Sequence, residues 1–202
     1  MKTVKTLNQN RISSQTRQRT LRGFSLIELT ISLTVIIALS TIAMPTVLQA
    51  WNSYRLTSAA DNVAGILDRA RFEAIHKNTR LSCIAVQTAT GWSVGIDENG
   101  NGVLDANEPQ VSLPGPPALL AAGIAPGSGT FGYATVATPP GNSVTFDPRG
   151  TIYFGANPVV TAYSFYIGIP NQKNYGYRAV TVTQMGQTKV WMAASNGTWV
   201  TQ

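Results

Sequence analysis

The chain has 202 residues and a formal net charge of +6, a balance that usually indicates nucleic acid or another acidic partner. The positions of the charges argue against such a partner. Of the 15 basic residues, nine follow Phe24 and match the nine acidic ones, and the other six precede it in a stretch without acids: Lys2, Lys5, Arg11, Arg17, Arg19 and Arg22. Since positive residues beside a first apolar segment hold that flank in the cytoplasm, the excess is interpreted as a topology signal.

The first predicted elements are a basic leader and a membrane-spanning helix. Residues 1–22 are polar and lack apolar periodicity, so we expect them to be unstructured. Residues 29–51 contain no Asp, Glu, Lys, Arg or His and exceed the about 20 residues that cross a hydrocarbon layer. A secretory signal peptide is the alternative, but its apolar core should span about 7–15 residues, and residues 41–43 are a poor match to its cleavage site.

Glu28 places a lone carboxylate directly before this uncharged span. A carboxylate inside a membrane helix costs about 2.5–3.5 kcal/mol on insertion scales, so it is expected to have a functional partner. If the chain is cut between Gly23 and Phe24, the new amino group lies about one helical turn from Glu28. A neighbouring subunit can then offer its own amine to this carboxylate. A plain signal anchor, with Glu28 among the headgroups, is the alternative.

The helix is expected to continue out of the membrane. Pro45 lacks the N–H of an ordinary helical residue, which predicts a kink or local melting at residues 43–46. Asn78 is the expected stop. Between Trp51 and Asn78, apolar residues recur at steps of four and three, as is typical of a helix packed on a soluble domain: Leu56, Ala60, Val63, Leu67, Ala70 and Ala74.

After Asn78 the pattern indicates β-structure. Residues 81–87 and 91–96 predict a hairpin, and further strands are predicted at 143–146, 151–154, 162–169, 177–183 and 189–193, with Gly186 and Gln187 in the last turn. Residues 114–129 and 137–142 are rich in Pro, Gly, Ala and Ser, which predicts loops without regular pairing. The expected fold class is α+β, with a long N-terminal helix packed against a mainly antiparallel sheet.

A twelve-residue segment after the first hairpin matches the calcium-loop pattern D-x-N-x-N-G-x₅-E. Val103 would offer its carbonyl oxygen and five other residues their side-chain oxygens: Asp97, Asn99, Asn101, Asp105 and Glu108. The flanks are a strand and Pro109 in place of two helices. The alternative is a polar hairpin loop, because Asp, Asn and Gly are also turn residues.

Two other functions find little support in the sequence. Beyond Arg80 the chain has four basic and five acidic residues, which is no electrostatic footprint for phosphate, so a local patch of Arg178 and Lys189 is the remaining candidate for DNA contact. The lone His76 lies on a predicted helix face, and no Ser/His/Asp set, zinc-ligand cluster or phosphate-binding glycine loop is present. An enzyme is therefore not expected.

The segment Gly23-Phe24-Ser25-Leu26-Ile27-Glu28-Leu29, with the basic leader before it and the apolar helix behind it, resembles the class III signal of type IV pilins and type II secretion pseudopilins. The resemblance implies cleavage after Gly23 by a prepilin peptidase, N-methylation of Phe24, and pairing of Glu28 with a neighbouring amine. Residues 70–75 with Asn78 and 81–83, and residues 146–150, are similar to H-type pseudopilins and FimT-like minor pilins. Some FimT-like members bind DNA through a Gly-Arg-x-Arg turn, which reads Gly186-Gln187-Thr188-Lys189 here.

Together these observations predict a minor pseudopilin or minor pilin of the bacterial inner membrane. The expected segments are a cleaved leader (1–23), a transmembrane helix (24–51), an amphipathic helix (52–78) and a periplasmic β-rich domain (79–202). Expected partners are other pilins or pseudopilins, the prepilin peptidase and inner-membrane lipid, in a type II secretion pseudopilus or a type IV pilus. The alternatives are a filament-tip adaptor for DNA or a secreted substrate, and a secreted calcium-binding domain.

Overall fold

The computed structural model describes residues 23–121, 123–127, 129, 131–153, 160–194 and 197–202. These residues form one α-helix, ten β-strands and two short 3-10 helices, Pro140–Asn142 and Lys173–Tyr175. The chain divides into two compact units, Met1–Ala43 and Met44–Gln202. Residues 1–22 of the predicted leader (1–23) lie outside the described part of the chain.

Helix α1 spans Leu26–Lys77. A window of 18 of its residues has a mean hydropathy of 2.1 and no buried residue, so the helix is long and apolar enough to cross a membrane. At its C-terminal end Asn78 has a left-handed backbone, with φ of 50°. The N–H of Asn78 donates to the Ile75 oxygen at 3.2 Å and that of Thr79 to the Ala74 oxygen at 3.1 Å. This is a Schellman cap with Asn in the position that usually holds Gly, and it ends the helix.

The strands form two sheets. The first has the order β3-β2-β1-β6, and the second has the order β10-β9-β8-β7-β4, with β5 also beside β7. Only the pairing of β5 with β7 is parallel among the described strands. The bounds are β1 Leu81–Thr88, β2 Gly91–Asp97, β3 Gln110–Pro114, β4 Ala118–Leu120, β5 Val136–Ala137, β6 Ser143–Phe146, β7 Ala162–Gly168, β8 Tyr177–Thr183, β9 Thr188–Ala193 and β10 Trp199–Thr201. The predicted α+β class is confirmed, with two sheets in place of one.

Several strand predictions need correction. Four strands were not predicted, β3, β4, β5 and β10, and β4 lies within a stretch predicted to be unpaired. β4, β5 and β10 have only two or three residues, too few for an alternating pattern, so their state is decided by pairing with a neighbour such as β7. The strand predicted at 151–154 is reduced to one isolated bridge between Phe146 and Ile152, and Phe154 lies outside the described residues.

The main core lies between helix α1 and both sheets. All six residues of the predicted helical stripe are buried, together with Ala59 and Ile66. They pack against side chains from the strands, including Ile96 of β2, Phe146 of β6 and Ile167 of β7. The stripe is therefore the face that fixes the second half of the helix to the β-domain.

A second, aromatic core lies on the opposite face of the second sheet. Successive residues of β7 and β8 alternate between the two cores, since Phe165 and Val180 join the first and Tyr166 and Ala179 the second. Phe131, from the connection before β5, packs between Trp191 and Trp199, with ring centroids 5.0 and 5.1 Å away. This connection covers the sheet and makes β7 and β8 buried on both faces.

Helix α1 and two turns meet at a glycine-lined junction. Arg71 Nε donates a hydrogen bond to the Gly150 carbonyl oxygen at 3.0 Å. Gly150 and Gly186, the latter in the β8–β9 turn, have φ of 76° and 72°, and their backbones lie against Arg71. Nearby, Thr188 Oγ1 donates a hydrogen bond to the Asp68 carboxylate. The junction therefore joins the end of the helix to both sheets.

Replacing Gly186 by Ala is expected to destabilise the chain by about 3 kcal/mol. A left-handed backbone costs a non-glycine residue about 1–2 kcal/mol, and overpacking adds about 1–3 kcal/mol. The new Cβ would collide with the Gly150 oxygen and lie 2.8 Å from Arg71 Nε. Gly65→Ala is the matched control, because Gly65 lies in the helix with nothing within 4 Å of an added Cβ, and Ala there should stabilise by about 0.5–1 kcal/mol. Thermal unfolding followed by circular dichroism should show a lower melting temperature for Gly186→Ala and a higher one for Gly65→Ala.

Candidate functional site

The structure brings the predicted cleavage site and Glu28 together. Residues 23–25 are not helical, and the first helical turn closes when Leu29 N–H donates to the Ser25 oxygen at 3.1 Å. Gly23, Phe24, Ser25 and Glu28 line one open depression. Phe24 is 83% exposed, and Glu28 lies in the first turn of the helix, where a negative charge is favoured by the helix dipole. These groups are therefore open to solvent in the described part of the chain.

The hydroxyl groups that follow Glu28 are satisfied within the helix. Ser and Thr side chains donate to backbone oxygens three or four residues earlier at 2.7–2.8 Å: Thr30, Ser32, Thr34, Ser40 and Thr41. Such bonds let a polar side chain enter lipid without an outside partner. The Glu28 carboxylate differs, since none of the hydrogen bonds or ion pairs among the described residues involves it. The predicted pairing of Glu28 with another subunit stays a prediction.

Pro45 lies inside helix α1, which is unbroken on both sides of it. The local melting predicted for residues 43–46 is therefore absent. In a regular helix the N–H of residue 45 donates to the Thr41 carbonyl oxygen, four residues earlier. Pro45 has no N–H, so this one bond is not made. The predicted kink at Pro45 stays a prediction.

The candidate calcium loop folds around its two terminal carboxylates. Asp97 and Glu108 are only 4% and 7% exposed. Asp97 accepts hydrogen bonds from the N–H groups of Gly100 at 2.7 Å and Gly102 at 2.9 Å. Glu108 accepts from the N–H groups of Glu98 and Asp105, both at 2.9 Å. The loop is thus closed by its first and last acidic residues.

The three middle side chains point toward one another. Asn99 Nδ2 and Asn101 Nδ2 donate to Asp105 Oδ2 at 2.8 and 3.1 Å. The side-chain oxygens of both asparagines accept backbone N–H groups, and Val103 donates one of them. No group of three or more His, Cys, Asp and Glu side chains placed to hold a metal occurs in the described part of the chain, so a cation here would depend on amide and backbone oxygens as well. Calcium binding stays a prediction.

Calcium is expected to raise the melting temperature of the full chain, and Glu108→Gln is expected to remove that increment. A ligand at a hundred times its Kd stabilises the folded state by about 2.7 kcal/mol. Because Glu108 also accepts backbone N–H groups, its substitution lowers stability even without calcium. The relevant measure is therefore the difference between the melting temperatures with and without calcium. Magnesium is the control, since it rarely accepts a site made only of protein groups. Equal melting curves with and without calcium would identify a polar hairpin loop.

The two candidate DNA-contacting residues do not form a patch. Lys189 is opposite Thr181 in the β8–β9 pairing, whereas Arg178 is opposite Met192. Directly paired residues share a face and neighbours in a strand alternate, so the two cations lie on opposite faces of the sheet. Arg178 is 6% exposed and donates hydrogen bonds to Ser53 and Thr57 of the helix. The proposed nucleic-acid patch of Arg178 and Lys189 is therefore wrong, because Arg178 is directed at helix α1.

The contact of Arg178 with helix α1 was not predicted. The sequence contained one signal of this contact, because Ser53 and Thr57 are four positions apart and therefore lie on one helix face. The lone cysteine, Cys83, is buried, and burial raises the pKa of its thiol to about 12. His76 is exposed and stacks on Phe72, with ring centroids 6.1 Å apart, on the solvent side of the helix.

Comparisons with known proteins found one matching family and two similar solved structures. The family described as type II transport protein GspH matches residues 59–186 of the chain. Two crystal structures of the type IV minor pilin FimU from Pseudomonas aeruginosa strain PAO1 are similar to it. One, in space group P21, has 21% identity, covers 73% of this chain and 92% of its own, and has a TM-score of 0.46. The other, in space group P65, has 19% identity, coverage of 73% and 97%, and a TM-score of 0.47. A search of curated proteins found no match.

Proposed function

Because the chain belongs to the GspH family of type II transport proteins, we propose that it is a minor pseudopilin or minor pilin subunit whose N-terminal helix carries assembly. In this proposal, prepilin peptidase cuts after Gly23, and the new amine on Phe24 is methylated. Helix α1 then anchors the subunit in the inner membrane, with the β-domain in the periplasm. The subunit catalyses no reaction.

The Glu28 carboxylate is the observation that supports this role most strongly. Its segment is apolar, and the neighbouring hydroxyls bond to their own helix, so Glu28 is left with an interaction that one chain does not supply. An amine from another subunit satisfies a carboxylate by a charge-assisted hydrogen bond, which is roughly twice as strong as a neutral one. The partner is therefore another pilin or pseudopilin that offers a free N-terminus at the same depth.

The described residues favour this structural role over a filament-tip adaptor for DNA. Arg178 is buried against the helix, so Lys189 is the one exposed cation of the two candidate residues. Affinity for nucleic acid grows with the number of phosphates that are neutralised, so one lysine supplies little of it.

Deleting the chain in its host tests the proposal and identifies the machine. Twitching, release of exoproteins and uptake of DNA should be measured side by side in the deletion strain and in a strain that carries the restored chain. We expect loss of exoprotein release if the chain serves a secretion pseudopilus, and loss of twitching if it serves a type IV pilus. Retention of both activities would contradict the proposal, and loss of DNA uptake alone would favour the adaptor.

A further inference from the structure

Arg178 is a buried cation that contacts only neutral groups. Its Nε donates to Thr57 Oγ1, its Nη2 to Ser53 Oγ and its Nη1 to the Tyr177 carbonyl oxygen, each at 3.0 Å. A guanidinium has five N–H donors, so Nη1 and Nη2 each keep one N–H that makes no hydrogen bond among the described residues. The side chain is thus fixed by two helix residues with half of its terminal donors still available.

The charge of Arg178 is not neutralised at close range. Burial lowers the pKa of its guanidinium, and the more distant Asp61 carboxylate raises it in part. The ion pairs among the described residues all join Arg69 or Lys77 to Glu73 or Glu98, and none includes Arg178. A buried charge is costly unless an opposite charge and hydrogen bonds compensate for it. The Arg178 guanidinium therefore makes no ion pair with a described residue, and the Asp61 carboxylate offsets its charge only in part.

An open groove of about 380 Å³ lies beside the guanidinium. Gln49 and Ser53 line it from helix α1, and Asn174 lines it from the 3-10 helix Lys173–Tyr175. At its floor Gly176 has φ of 73° and ψ of −167°, a conformation that is essentially confined to glycine. A Cβ there would lie 2.5 Å from the Ala193 carbonyl oxygen, so glycine allows β8 to begin close to the end of β9.

The groove lies at the end of the apolar span. Gln49 and Ser53 are two residues before and after Trp51, so they lie about 3 Å to either side of it along the helix. The headgroup layer on each side of a bilayer is about 5–7 Å thick, which includes both positions. Trp51 and Tyr54 are 61% and 69% exposed, as is typical of aromatic residues at a membrane surface.

We propose that this groove binds the phosphate oxyanion of an anionic phospholipid headgroup, with Arg178 as its cation and Gln49, Ser53 and Asn174 as its polar lining. The two remaining N–H groups of the guanidinium match two oxygens of one phosphate, a geometry that arginine commonly uses. Exposed Lys173 adds a second positive charge on the element that carries Asn174. Headgroups are present at this depth in any membrane, whereas a carboxylate from another subunit would need a specific assembly. The inference rests on the membrane anchoring proposed above and is independent of filament assembly.

Native mass spectrometry of the full chain in detergent micelles tests the inference, with phosphatidylglycerol, phosphatidylcholine and inorganic phosphate as probes. We expect phosphatidylglycerol to bind at least about tenfold more tightly than phosphatidylcholine, a difference of about 1.4 kcal/mol. Arg178→Gln removes the cation, and Gln49→Glu puts a carboxylate of nearly the same size into the groove. Each substitution should weaken the binding of phosphatidylglycerol at least about tenfold. Gln87→Glu is the matched control, because Gln87 is exposed on β1 and outside the groove.

The outcomes distinguish a lipid headgroup from free phosphate as the source of the anion. They also distinguish the headgroup site from membrane anchoring. If Arg178→Gln fails to fold by circular dichroism, Gln49→Glu alone decides. Inorganic phosphate that displaces the lipid supports the oxyanion site, and phosphate that binds where lipid does not assigns the site to free phosphate. Equal binding of phosphatidylglycerol and phosphatidylcholine overturns the inference, and so does phosphatidylglycerol binding that is unchanged in both Arg178→Gln and Gln49→Glu. Either result does so even if Arg178→Gln weakens contacts between subunits. Flotation with phosphatidylglycerol vesicles reports anchoring separately, so a chain that floats without lipid selectivity contradicts the headgroup site alone.

Discussion

Replacing Glu28 by Gln is expected to leave the chain folded and processed but to reduce its incorporation into filaments about ten- to a hundredfold. Gln has the same shape and removes only the charge. A hydrogen bond to a charged group contributes about 1.5–3 kcal/mol, and each 1.4 kcal/mol is a factor of ten in an equilibrium constant. The Glu28 carboxylate has no partner among the described residues of its own chain, so this loss should appear only between subunits. Quantitative immunoblotting of sheared filaments against whole cells measures it.

Thr34→Val is the matched control for Glu28→Gln. Thr34 lies in the same apolar segment, and its hydroxyl donates to the Thr30 oxygen of its own helix at 2.8 Å. Its loss should therefore leave incorporation unchanged. Wild-type levels of Glu28→Gln in filaments would remove the pairing role of this carboxylate, and equal losses in both variants would point to a general effect on the membrane helix.

Gly23→Val is expected to block cleavage, so that the chain accumulates with its leader and enters no filament. Nothing lies within 4 Å of a Cβ added at Gly23, so the branched side chain disturbs no contact of the described chain and its effect falls on recognition by the peptidase. Without the cut no amine forms at Phe24, and the partner of Glu28 in the next subunit is missing. Intact-mass measurement of the membrane fraction reports the leader directly.

Gly127→Val is the matched control for Gly23→Val. Gly127 is exposed and has nothing within 4 Å of an added Cβ, so the same substitution there should leave processing complete. Normal cleavage of Gly23→Val after residue 23 would contradict the assigned site. Cleavage of the wild-type chain near Ala43 would instead indicate a secreted domain released by signal peptidase.

Much of this fold follows from local patterns in the sequence. Alternating steps of four and three residues identified the buried stripe from Leu56 to Ala74, because one helix face must pack on the sheets. β-branched and aromatic runs similarly identified long strands such as β1 and β8. The short strand β4 and the cover of the second core by Phe131 depend on pairing and packing with distant residues, and no local period encodes them.

In the candidate site, too, some features follow from the local sequence and others depend on distant residues. Glu28 was singled out because one carboxylate beside an uncharged span conflicts with a membrane on energetic grounds, and its pairing stays a prediction. Arg178 was misread as a surface cation, since charge counts do not tell which face of a strand a residue occupies. Its role depends on the register of β8 and on two hydroxyls more than 100 residues earlier in the chain.

The central claim is that the chain enters filaments as a processed subunit through its N-terminal helix. Intact-mass spectrometry of the chain recovered from sheared native filaments tests it most directly. We predict one dominant species that begins at Phe24 and carries one methyl group. Recovery of only the full-length chain or of a chain cut near Ala43, or its absence from filaments that contain the other subunits, would contradict the claim.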